Sequence, residues 1–150
     1  MTSFLYSVVN MTRLKNKINT IYERPSSLSR IIMKPETSGE DLETLARRLN
    51  IPIRVTWKDD YDPKFQGGQV LNMGNESIGG THWVATYRDK YFDPFGMPPP
   101  PKLIHLQWMP LDIQDQDFGH CGQYSVYWIY FAMKDELDQF YSLFTPENIR

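Results

Sequence analysis

The chain has 150 residues and a mass of 17.7 kDa, enough for one hydrophobic core and short for two, since domains most often run about 100–150 residues. Hydrophobic residues make up 41% and charged residues 23%, a balance that favours a packed domain over a disordered chain. The net charge of −2 argues against a protein that coats nucleic acid over its whole surface, and the single cysteine, Cys121, excludes an intramolecular disulfide framework and any zinc site of the several-cysteine kind.

The charge is unevenly placed. Residues 1–34 carry Arg13, Lys15, Lys17, Arg24, Arg30 and Lys34 against Glu23, a local +5 that leaves −7 for residues 35–150. Two readings of this basic N-terminal extension stay open: the solvated face of a short helix over residues 12–23, or a docking surface for DNA or an acidic partner. Residues 1–10 lack the basic start of a secretory signal. The most apolar stretch, residues 124–133, is about half the ~20 residues that a membrane span needs. The expectation is a soluble, intracellular protein with no membrane contact.

From Ser38 the pattern sharpens. Ser38-Gly39-Glu40-Asp41 is a capping-box-like start with acids in the first turn, and Leu42, Leu45, Ala46 and Leu49 follow at helical spacing until Asn50 and Pro52. Residues 51–57 (IPIRVTW) alternate and are β-branched, which predicts a strand closed by the turn-rich KDDYDP. Residues 69–73 read as a short strand, 75–80 as a turn, and 81–87 (THWVATY) as a strand. After the tight Arg88-Asp89-Lys90 turn, residues 91–95 return antiparallel to it. Pro98 to Pro101 break regular structure, residues 108–114 are weakly strand-like, and residues 115–120 form a polar loop. The run CGQYSVYWIYFAM from Cys121 is apolar on nearly every side and predicts a helix buried in the middle of the protein. Leu137, Phe140, Tyr141 and Phe144 then repeat as a one-sided second helix. The order predicts an α+β fold: a mainly antiparallel central sheet packed against a buried helix that starts at Cys121.

Three ingredients of nucleophilic catalysis lie in the second half of the chain. A thiol is a strong nucleophile when ionised, and a neighbouring imidazole and a helix N-terminus both favour the thiolate; Cys121 stands where the predicted helix starts. His82 is the candidate base. Asp93, a cross-strand neighbour in the predicted hairpin, would accept a hydrogen bond from one ring nitrogen and leave the other for the thiol. Gln114 would offer its amide to the oxyanion of a tetrahedral intermediate, beside the backbone N–H of Cys121. Plain readings stand beside these: a buried cysteine as a small hydrophobe, an aspartate before Pro-Phe-Gly as a turn cap, and His82 as a hydrogen-bonded structural histidine. Gln116 competes for the oxyanion role, His120 is a weak alternative base, and His105 has no partner in view.

The blocks GGTHWVATY and YFDPFG, followed by Gln114 seven residues before Cys121-Gly122, closely resemble the adenovirus-type (adenain-like) maturation cysteine proteases. These belong to the clan that also contains the proteases specific for ubiquitin-like proteins. The likeness covers residues 79–133. It implies a papain-like fold of the adenain type, with His82 as base, Asp93 as its orienting acid, Cys121 as nucleophile and Gln114 as oxyanion donor. From the residues themselves, Gly79, Gly80, Trp83 and Gly122 would shape the substrate cleft, with a plain β-turn as the other reading of Gly79-Gly80. The implied activity is cleavage of viral capsid or core precursor proteins during particle maturation, in the virion and the host cytoplasm, next to small residues, with no cofactor and no metal. The short link between Gly96 and Gln114 and the lack of a second cysteine bring the chain nearer to the compact proteases of virophages and large DNA viruses. Other activities of the clan, removal of ubiquitin-like modifiers or acetyl transfer, remain alternatives, as does an inactive binding module of the particle.

Overall fold

The structure is a computed structural model that describes residues 37–74, 82–113 and 120–144. The predicted helix at 12–23, the turn at 75–80, and Gly79, Gly80, Gln114 and Gln116 lie outside the described residues. The elements are α1 (Gly39–Leu49), β1 (Ile53–Trp57), β2 (Gly68–Asn72), β3 (Trp83–Tyr87), β4 (Lys90–Phe92), β5 (Gln107–Trp108), α2 (Cys121–Met133) and α3 (Leu137–Ser142).

Helix α1 is set by its ends. The Ser38 hydroxyl accepts the Asp41 N–H while the Asp41 carboxylate accepts the Ser38 N–H, both at 3.1 Å, so two N-terminal donors are satisfied reciprocally. Asn50 closes the helix in the left-handed region, at φ 59°. Leu42, Leu45, Ala46 and Leu49, the residues at helical spacing, are its buried face.

The fold is α+β, and among the described residues five strands form one sheet in sequence order, β1-β2-β3-β4-β5. The sheet is mixed, which corrects the expectation of a mainly antiparallel one: β2–β3 and β3–β4 are antiparallel, while β1–β2 and β4–β5 are parallel. The reason is the length of the connections. A two-residue turn reverses the chain between β3 and β4, whereas residues 58–67 and 93–106 are long enough to carry it back to the end from which it started.

Alternate residues of the central strands point to opposite faces, and both faces are covered. Val70, Ala85 and Phe92 join the larger core with α1, α2 and α3. Leu71, Val84 and Tyr91 face the other way and are covered by Leu103 and Leu106, with Tyr61 and Met73 at the margin. The proline-rich segment thus acts as the lid of the second face. Helix α2 runs between sheet and helices with residues 121–131 all buried. Phe92 stacks on Trp128 with ring centroids 5.4 Å apart, and Phe140 meets Phe92 edge-on at 5.6 Å.

Gly68 lets α2 approach the sheet. A Cβ there would lie 2.4 Å from Ile129 Cγ2 and within 2.9 Å of two more Ile129 carbons, and Ile129 is itself fully buried. Gly68→Ala is therefore expected to destabilise the domain by about 1–3 kcal/mol through overpacking. In chemical denaturation its effect should be less than additive with Ile129→Ala.

Candidate active site

The β3–β4 hairpin carries two of the three predicted groups. Its two-residue turn has Arg88 at φ 56°, and its register pairs Ala85 with Phe92 and Thr86 with Tyr91. Continued past the strand ends, that register sets Asp93 opposite Val84 and His82 opposite Phe95. His82 and Asp93 are thus cross-strand neighbours on a diagonal, each one residue outside the ladder, where the sequence predicted positions within the two strands. The His82 and Phe95 rings are in contact, with centroids 4.9 Å apart.

His82 Nε2 lies 2.8 Å from Asp93 Oδ1. The same carboxylate oxygen accepts the Phe95 N–H at 2.8 Å, and the Asp93 carbonyl accepts the Gly96 N–H at 2.8 Å. Asp93 is therefore at once a turn cap and the partner of the histidine. The turn leans on a neighbouring segment: Ile113 N–H donates to the Pro94 carbonyl at 2.9 Å. Gly96 sits at φ +75°, where a Cβ would come within 2.9 Å of the Leu111 backbone. Glycine is required there on both counts.

The third group comes from α2. Cys121 is its first residue, 4% exposed, and the His82 ring is within hydrogen-bond reach of its thiol. With Nε2 committed to Asp93, Nδ1 is the nitrogen left for the sulfur. The first turn of α2 holds no acidic side chain, so the positive end of the helix dipole acts on Cys121 without local neutralisation. A fourth contact comes from the main chain: Trp83 N–H donates to Cys121 Sγ at 3.4 Å.

The His82 and Asp93 side chains are 19% and 6% exposed. Burial alone lowers the pKa of the imidazole. The hydrogen bonds to Asp93 and Cys121, and the attraction of a thiolate and a carboxylate on either side, outweigh it and push the value up to about 9. The geometry thus places the imidazole between two acceptors, one of which is a potential nucleophile.

The other predicted residues are placed differently. The Trp83 ring packs against the larger core, while its backbone touches the nucleophile. Gly122 is buried, and a Cβ there would meet Thr37 Oγ1 at 2.6 Å and Leu42 at 2.8 Å, so its small size lets α1 close on α2. His120 caps α2 without a side-chain cap bond, and His105 is exposed in the turn before β5. A cleft of about 260 Å³ lies between Lys90, Trp108, Trp128 and Tyr141, at the opposite end of β4 from Asp93. Among the described residues, no group of three His, Cys, Asp or Glu side chains is placed to hold a metal ion, and no helix is long and apolar enough to cross a membrane. The sequence reading missed Trp83 N–H and Ser125, a buried serine whose hydroxyl donates to the Trp83 carbonyl at 3.4 Å. The available signal for Ser125 was a polar residue one turn after Cys121, one of two with Gln123 in a mostly apolar run.

Comparisons with family models, with curated proteins and with solved structures find no match.

Since the folded value of His82 lies above the 6.5 of a free imidazole, the protonated ring stabilises the fold fully below about pH 6.5, and that contribution is lost as pH rises through about 9. NMR titration of the ring should give a midpoint near 9, moved down in Asp93→Asn. The unfolding free energy should fall across this window and be flatter with pH in His82→Ala.

Proposed function

We propose that the protein is a cysteine endopeptidase of the adenovirus maturation type, which cleaves capsid or core precursor proteins as a virus particle assembles. The observation that carries this reading is the convergence of His82 and Asp93, from the open end of one hairpin, with Cys121 at the start of α2, in the roles that the resemblance implies. A cysteine at the start of a buried helix, facing a hairpin that holds the histidine and the acid, also supports the finer fold reading, a papain-like fold of the adenain type.

In the reaction, the Cys121 sulfur attacks the scissile carbonyl carbon, forming a C–S bond while the carbonyl electron pair moves onto oxygen. The Cys121 backbone N–H and the Gln114 amide donate to that oxyanion. As the C–N bond breaks, the imidazolium of His82 protonates the leaving amine. The neutral ring then takes a proton from the water that attacks the thioester. Breaking the C–S bond releases the acid and restores the thiolate–imidazolium pair. Asp93 keeps Nε2 occupied throughout, so that Nδ1 is always the nitrogen that faces sulfur and leaving group.

The virion and the host cytoplasm are the places where such substrates would be met, and the basic region 1–34 would dock the enzyme on DNA or an acidic partner there. For the intact protein, DNA affinity should fall steeply with salt if phosphate contacts are responsible; absent or salt-insensitive binding removes that role.

Mass spectrometry of candidate capsid precursors should find new termini after incubation with the wild type and none with Cys121→Ala, which should stay folded. Cleavage by Cys121→Ala would sink the assignment. His82→Ala is expected to lower kcat/KM by about 10²–10⁴, and Asp93→Asn by less. The alkaline limb of the kcat/KM profile should lie near pH 9, where His82 gives up the proton that the leaving amine needs.

A further inference from the structure

The peptide unit between His82 and Trp83 is held at both of its polar atoms. The His82 carbonyl accepts the Met73 N–H at 2.7 Å, and the Trp83 N–H donates to Cys121 Sγ at 3.4 Å. The next carbonyl along the chain, that of Trp83, accepts the hydroxyl of Ser125 at 3.4 Å. Cys121 and Ser125 are four residues apart and so share one face of α2. Ser125 is fully buried, and a hydroxyl in such a place costs free energy unless it is partnered; the Trp83 carbonyl is the partner it has.

We infer that Ser125 is a positioning residue for the Cys121–His82 pair. Strand β3 already packs on α2 through Ala85 and the Trp83 ring, and the bond at Cys121 is one polar point in that contact. A second polar point one helical turn away fixes the rotation of the strand on the helix, and with it the distance from the His82 ring to the thiol. The His82–Asp93 bond lies within the hairpin and does not depend on this clasp. Loss of the Ser125 hydroxyl therefore leaves the imidazole oriented by Asp93 but loosens its hold on the sulfur. What suffers is the contact between imidazole and sulfur, and with it the reactivity of Cys121. This inference rests on reading Cys121 as the nucleophile.

The test is the rate of Cys121 alkylation by iodoacetamide as a function of pH, in the full chain. The wild type should react fast at about pH 6, where an unpaired thiol is protonated. Ser125→Ala should react about tenfold more slowly there, the scale of one lost hydrogen bond, and at close to the wild-type rate at about pH 10, where any thiol is ionised. Ser125→Thr and Ser125→Val are alike in size and differ by the hydroxyl, so the threonine variant should keep more of the low-pH reactivity; this pair decides the matter if the alanine variant does not fold. In a His82→Ala background, Ser125→Ala should bring no further loss, which a general loosening of the core would bring. Equal low-pH rates in wild type and Ser125→Ala, equal rates in the threonine and valine variants, or a further loss in the His82→Ala background overturns the inference and leaves the protease reading standing. A wild type without low-pH reactivity overturns both.

Discussion

Helix α2 is apolar all round, and the rest of the domain is arranged to enclose it. A helix with residues 121–131 all buried must find apolar partners on every side. It has the sheet on one flank through Val70, Ala85 and Phe92, and on the others α1 through Leu42 and Leu45, α3 through Phe140, and Phe144 just beyond α3. Close approach is possible because Gly68 and Gly122 present no side chain where Ile129 and Leu42 need the room. The position of Cys121 follows from this packing. The first residue of the enclosed helix is carried to the end of the sheet where β3 begins, and its sulfur arrives against the main chain of Trp83.

The site divides its geometry between two kinds of structure. The orientation of His82 is a local matter, settled inside one hairpin by the bond to Asp93 and by a turn that the carboxylate itself caps. The distance from His82 to Cys121 is a tertiary matter, settled by how the helix lies on the sheet. The electrostatics depend on both. An imidazole this buried would prefer to be neutral, and it carries its charge because an acceptor lies on each side of it. Turn cap and orienting acid, weighed as competing readings of Asp93, are one arrangement: the oxygen that takes the Phe95 N–H is the oxygen that takes the ring.

Much of this was legible in the residues, for identifiable reasons. Helix α1 was announced by its cap and by four apolar residues at helical spacing. The β3–β4 hairpin was marked by two β-rich runs around a short turn, and α2 by apolar residues with no polar face. The parallel edges of the sheet were not legible. Alternation tells which side of a strand is buried and is silent on which strand lies beside it; the direction of β1 and β5 depends on the paths of residues 58–67 and 93–106. Pro98 to Pro101 were read as an interruption, yet the segment they stiffen brings Leu103 and Leu106 over the second face of the sheet. The role of the Trp83 backbone was beyond the reach of residue types, since every residue but proline carries the same N–H.

His82 and Asp93 each stand one residue outside a strand, and this explains the density of other bonds around them. Within a ladder, the pleat dictates where a side chain points. One position beyond it, that constraint is half gone, and a catalytic geometry held to a fraction of an ångström needs replacements. The replacements are the Met73 N–H on the His82 carbonyl, the Phe95 and Gly96 N–H groups on Asp93, and the Ile113 N–H on Pro94. A position inside the ladder would have been simpler to fix. It would also have locked both side chains perpendicular to the sheet, where Val84 and Tyr91 are covered by the proline-rich segment. At the margin the two side chains are free to lie along the end of the sheet, toward the first residue of α2. The added bonds are the physical condition for holding them there.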